Sequence, residues 1–388
     1  MSLDEVQHHL SLLENPLSSR LCNYTTTVSL SLASWASSAT WEHEDEDESP
    51  CSVCSQKDEA TASVLRRLTN LSQIELDFLS FRTPGRADGW QWWPKTITTL
   101  EEIGRSRSSS GGTTRPFIRA LALHAIRPSM DHLIGQILNA LIPNLNALVL
   151  ATDSNHIYKA DNVGFVASWA SIQRYATNLA TLVVSGVPVN APNGSWACSQ
   201  SLRTLDITSA PDVTPTFAYE FICQFPALRN VILRSVRLRF GSTLPPRDIP
   251  DISSRTKLST RGTGTGTNAT SDSPLDANTT STTTTRPRNP ISLQNLSLSS
   301  VDIDFVAALS SLGTTTLHLQ VIYRSATLLH LLKQPSAFVG LSHLVIENED
   351  GMTGRVFGWL GAKETEELRA ICKERGCTFE DERFSGTR

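Results

Sequence analysis

Apolar residues recur along this chain in a short motif, leucine-x-x-leucine-x-leucine, with polar or small residues between them. LSQIEL from Leu71, IRALAL from Ile118, LNALVL from Leu145 and LATLVV from Leu179 keep it. So do LRTLDI from Leu202, LRNVIL from Leu228, LQNLSL from Leu293 and LSHLVI from Leu341. TTTLHL from Thr314 departs only at its first position, and VSLSL over 28–32 is a weak early copy. The last three residues of each copy alternate, as in a strand whose successive side chains point to opposite faces. In Leu148-Val149-Leu150 the leucines point into a core and Val149 points out. Leu145 reaches the same core from the entry loop.

The stretches between copies carry a helical period. MDHLIGQILNALIPN sets Leu133, Ile134, Ile137, Leu138 and Leu141 on one face, with Asp131 as the expected N-cap and Pro143 as the stop. VGFVASWASIQRYATN, PTFAYEFICQFP, DIDFVAALSSLG and ATLLHLLKQP read the same way. KETEELRAICKERGCTFEDE predicts a charged helix from about Lys363, ended by Gly376, then a short strand at Cys377–Phe379. A doubly wound sheet also alternates helix and strand, but nothing in it requires one leucine motif to return. Most copies are spaced near the roughly 20–29 residues of leucine-rich repeats. One unit cannot bury its apolar face alone, whereas stacked units can. The expected fold is therefore an α/β leucine-rich-repeat solenoid forming a single domain over 1–388. In such a horseshoe a parallel sheet lines the concave face and helices line the convex one.

Three stretches interrupt the pattern and are expected as insertions. Residues 39–60 form an acidic loop containing Glu42, Glu44, Asp45, Glu46, Asp47 and Glu48. Residues 82–116 form a loop rich in Trp, Ser and Gly. Residues 241–290 are Thr-rich and expected to be disordered, since their composition buries too little apolar area to offset ordering entropy. A net charge of −4 gives no general attraction to nucleic acid or anionic lipid. No apolar run approaches the roughly 20 residues that span a bilayer, so no membrane partner is expected. The N-terminus lacks a signal peptide's basic and apolar regions. Seven scattered cysteines read as reduced thiols, which points to the cytoplasm or nucleus.

LSLLENPLSSRLCNYTTTVSLSL resembles the segment that follows the F-box in fungal F-box proteins and leads into their first repeat strand. ELRAICKERGCTFE is similar to the way many of those solenoids close. With the central copies the resemblance covers roughly residues 5–385. It implies repeats that bind a substrate protein for an SCF-type ubiquitin ligase. An F-box of some forty residues is not legible ahead of the repeats. The resemblance thus leaves two expectations, a module acting alone or a ligase adaptor with its F-box missing or degenerate.

Chemical candidates are few. Cys51 and Cys54 have metal-ligand spacing, but a zinc site needs four ligands. His43, Cys22, His8 or His9 would have to complete it. Two cysteines in an acidic loop is the plainer expectation, and a redox motif would follow a strand and open a helix, which is not expected here. Trp90, Trp92 and Trp93 either anchor a partner or cover the core edge. GTGTGT over 262–267 lacks the context of a phosphate loop. His124, His318 and His343 stand at outward strand positions with no carboxylate expected beside them. No catalysis, metal or cofactor is expected. The expected function is binding a protein partner through outward positions of the sheet. Candidate residues there are His124, Val149, Ala151, Val183, Ser185, Asp206, Thr208, Ile232, Arg234, His318 and Gln320.

Overall fold

The computed structural model describes residues 24–31, 52–78, 93–109, 118–152, 165–189, 194–210, 213–236, 291–323, 327–347 and 361–382. All of them fall in one unit drawn from Met1–Leu238 and Pro290–Arg388. Eleven strands make one open parallel sheet whose spatial order is the order of the chain. They are β1 Thr27–Ser31, β2 Gln73–Asp77, β3 Ala120–Ile126, β4 Ala147–Thr152, β5 Thr181–Ser185 and β6 Thr204–Thr208. Then come β7 Asn230–Arg234, β8 Ser292–Asp302, β9 Gly313–Tyr323, β10 His343–Glu347 and β11 Thr378–Asp381. Eight helices among the described residues lie between them. These are α1 Ser52–Arg67, α2 Pro94–Ser109, α3 Asp131–Leu141, α4 Val166–Tyr175, α5 Pro215–Ile222, α6 Ile303–Leu309, α7 Leu328–Lys333 and α8 Ala362–Arg375.

The strands stack with their leucines aligned. Leu121, Leu148, Leu182 and Leu205 pair in one row, and Leu123, Leu150, Val184 and Ile207 in the next. Each of these is at most 1% exposed. Full burial of such a side chain contributes about 1.5–3 kcal/mol. The leading residues Leu145, Leu179 and Leu202 are buried beneath them. Thr314 takes a leucine's place at 1% exposed and is tolerated because its hydroxyl donates to the Thr316 carbonyl at 3.1 Å. The core lies between this face and the helices, leaving most of the alternate strand positions half-buried or exposed.

The helices are tied together by carboxylates. Asp131 does not cap its own helix, because Met130 occupies that N-cap position. Its carboxylate instead accepts the Ala167 and Ser168 N–H groups at the start of α4, at 2.7 and 2.9 Å, and the Ser168 hydroxyl at 2.6 Å. Asp58 of α1 does the same for α2, accepting from Lys95 N at 2.8 Å and Thr96 N at 2.7 Å. Each aspartate thereby satisfies orphan donors of the next helix and places charge at its positive end. Between β5 and β6 the described residues carry turns rather than a helix, and Trp196 fills the layer. Its ring meets Trp169 of α4 at 6.2 Å and Phe221 of α5 at 5.4 Å, both edge-on.

Two expected insertions contain helix. α1 starts at Ser52, inside the stretch expected as an acidic loop, and Cys54 stands in its first turn. Cys54 therefore does stand where a helix opens. Cys51 and the acidic run lie outside the described residues. α2 starts at Pro94, inside the expected 82–116 loop, and buries Ile97, Leu100 and Ile103. Trp93 is buried in the core at 7% exposed, which decides between the two expectations for that residue. Trp90, Trp92 and the 241–290 segment lie outside the described residues. The closing unit is α8, capped by Gly376 at φ 70°, and β11, one residue later than expected. The Arg375 guanidinium donates to the carbonyls of Leu332 and Ala337 at 2.8 and 2.6 Å, fastening α8 to the unit before it. No helix of the described residues is long and apolar enough to cross a membrane.

Candidate functional site

The exposed sheet face is the surface on which the candidate residues meet. Parallel pairing carries each strand position onto its equivalent in the next strand, so separate sequence copies become continuous rows. The middle row runs Glu75, Ala122, Val149, Val183, Asp206, Ile232, Ser297 and His318. The row toward the strand exits runs Ala151, Ser185, Thr208, Arg234, Ser299 and Gln320. His124 stands at the equivalent place on β3, opposite Asp77 of β2. All eleven candidate residues thus occupy two neighbouring rows. The β3–β4 register shifts after Leu123, next to Ala125, whose φ is 55°.

Two outward positions are covered. Ser299 is 8% exposed and donates to Gln320 Oε1 at 2.7 Å. Val345 is 2% exposed and sits in register between His318 and Glu380.

The histidines do have carboxylate partners, contrary to the sequence expectation. His124 Nε2 lies 3.3 Å from Glu75 Oε1, and His318 Nδ1 lies 2.9 Å from Glu347 Oε1. His343 Nε2 lies 3.2 Å from Glu380 Oε2, with its other ring nitrogen on the Thr378 hydroxyl. Each pair bridges two adjacent strands along a diagonal two positions apart, a reach that cross-strand side chains have. In sequence the partners are tens of residues apart, so only the register reveals them. A row nearer the strand entries is also fixed. Asn295 Nδ2 donates to Asn230 Oδ1 at 2.7 Å, and Asn230 Nδ2 to Thr204 Oγ1 at 3.3 Å.

The face is therefore divided. From β8 to β11 its polar side chains engage one another across strands. From β3 to β5 it carries Ala122, Val149, Ala151 and Val183, small or aliphatic and half-buried. Asp206 accepts from Thr208 Oγ1 at 3.0 Å, and Arg234 beside it is exposed.

No family model and no curated protein matches the chain.

Elsewhere, a cleft of about 370 Å³ opens at the entry ends of β6 to β8, lined by Gln200, Arg203, Pro226, Ala227, Leu228, Arg229 and Ser292. Arg203 is already committed there, donating to the Gln200 and Ala227 carbonyls at 3.1 and 3.0 Å. Among the described residues no three His, Cys, Asp or Glu side chains are grouped to hold a metal ion. Cys198 and Cys372 are buried thiols, pushed up to about 11 and about 12 by desolvation, which keeps them protonated at neutral pH.

Proposed function

We propose that the chain is a leucine-rich-repeat solenoid that binds a protein partner on the exposed face of its sheet, as the substrate-binding half of a fungal F-box protein does. What carries this reading is the register. It gathers positions from at least six sequence copies into one surface with a low, aliphatic centre and polar flanks. Aliphatic area with few charges at its centre and a polar rim is the make-up of protein-recognition surfaces. The three His–Glu pairs are assigned to fixing the face rather than to chemistry, and the function is binding without catalysis. Arg234 and Asp206 supply opposite charges at the edge of the smooth zone.

The test is a pull-down from cells, run with and without the ubiquitin-ligase scaffold protein, using the parent chain and the charge reversals Asp206→Lys and Arg234→Glu. A partner lost from either variant supports the reading. A partner set unchanged by both removes its basis. Recovery that depends on the scaffold marks the chain as a ligase adaptor.

A further inference from the structure

We infer that the partner presents an extended segment with a short apolar middle and a lysine or arginine at each end, lying across strands β2 to β6. This rests on the reading above and adds the partner's chemistry. The middle row supplies the argument. Ala122, Val149 and Val183 are consecutive in register, with Glu75 before them and Asp206 after. The neighbouring rows beside this stretch are mostly small, with Ala120, Ala147 and Thr181 on one side and Ala151 and Ser185 on the other, while His124 on β3 is held against Glu75. Side chains this short leave a shallow trough in which a partner's larger apolar groups reach the sheet.

The carboxylates set the ends. Asp206 accepts a neutral hydroxyl, that of Thr208. Glu75 shares its charge with His124, a residue that is cationic only when protonated. Both therefore stand ready for a cation. Neighbouring strands lie about 4.8 Å apart, so the four steps from β2 to β6 span about 19 Å. An extended chain rises about 3.3 Å per residue, which places its two basic residues about six positions apart. Arg234, one strand further on, disfavours a second basic residue beyond the Asp206 end and favours an acidic one there.

Selection from a random twelve-residue peptide library on the purified full chain tests this. The expected binders carry two basic residues about six positions apart with aliphatic or aromatic residues between. Their affinity should fall at least about tenfold on Asp206→Lys and on Val183→Arg, and less on Asp206→Asn, which keeps the shape and serves as the folding control. It should also weaken as salt is raised from about 50 to 300 mM. Binders that are neutral or acidic, binders indifferent to Asp206→Lys, or no binders at all overturn the inference. The reading of the face fails separately, if binders of any composition ignore Val183→Arg as well.

Discussion

Removing the Asp131 carboxylate should loosen the helix layer at one defined place. In Asp131→Ala, the Ala167 and Ser168 N–H groups at the start of α4 lose their acceptor, and the Ser168 hydroxyl loses its partner. Loss of a helix cap costs about 1 kcal/mol, within a range of roughly 0.5–2. Loss of negative charge at a helix N-terminus costs about 0.3–1 kcal/mol. Ser168 is fully buried, and a buried polar group left unsatisfied costs about 1–3 kcal/mol. These contributions overlap, so about 2–4 kcal/mol is expected for Asp131→Ala. Asp131→Asn keeps one acceptor oxygen and turns an amide donor toward an N–H, for about 1–2 kcal/mol. Urea unfolding gives the free energies, and hydrogen exchange locates the damage. Protection should fall first at the amides of Ala167 and Ser168, while the Lys95 and Thr96 amides, held by Asp58, stay protected. If Asp131→Ala lies within about 0.5 kcal/mol of the parent and those two amides keep their protection, the inter-helix cap has no energetic role and the reasoning is wrong.

Three further expectations follow from particular residues. A Cβ at Gly104 would stand 2.4 Å from the Ala140 carbonyl oxygen of the neighbouring helix, so Gly104→Ala should cost about 1–3 kcal/mol, read as a lower urea midpoint. Ser209 follows β6 with φ at 50°, where a Cβ costs roughly 1–2 kcal/mol and glycine's extra flexibility costs roughly 0.5–1. Ser209→Gly should therefore stabilise by about 0.5 kcal/mol, and an unchanged or lower midpoint would contradict this. Cys198 and Cys372 should resist iodoacetamide at pH 8 in the native chain and react once it is unfolded. Because burial raises their folded values above the unfolded ones, the stability they contribute is intact below about pH 8.5 and lost as pH rises through about 11 for Cys198 and about 12 for Cys372.

The strands were legible because their signal is strong and local. Every leucine of the LNALVL copy lies in the core, and the outward letters between them lie on the exposed face. The missed helices had weaker faces. α1 buries Ala60, Ala62 and Asp58, with Leu65 near its end, so little apolar contrast marks most of its inner side. α2 buries Thr96 and Thr99 with Ile97 and Leu100, though Pro94 at its start was a usable signal. Asp131 was read as a cap, but for the wrong helix, since local sequence cannot say which neighbouring helix its carboxylate reaches. The His–Glu pairs were invisible for a related reason, because they exist only after the register is set. The row of left-handed residues at the strand exits, among them Ala125, Gly186, Ser209, Ser235, Ser300 and Val321, carries a glycine only at Gly186. There the ladder continues across the bend, as the Ser209 N–H donates to the Arg234 carbonyl at 2.8 Å, and the packed stack overrides residue preference.

The central claim is that the partner meets the sheet face and not the helix side. A photo-cross-linking residue placed at Val183 and, in a second variant, at Tyr175, which is exposed on α4, tests it directly in cells. The account predicts a discrete covalent adduct from position 183 and none from position 175. An adduct from 175 with none from 183 would contradict it.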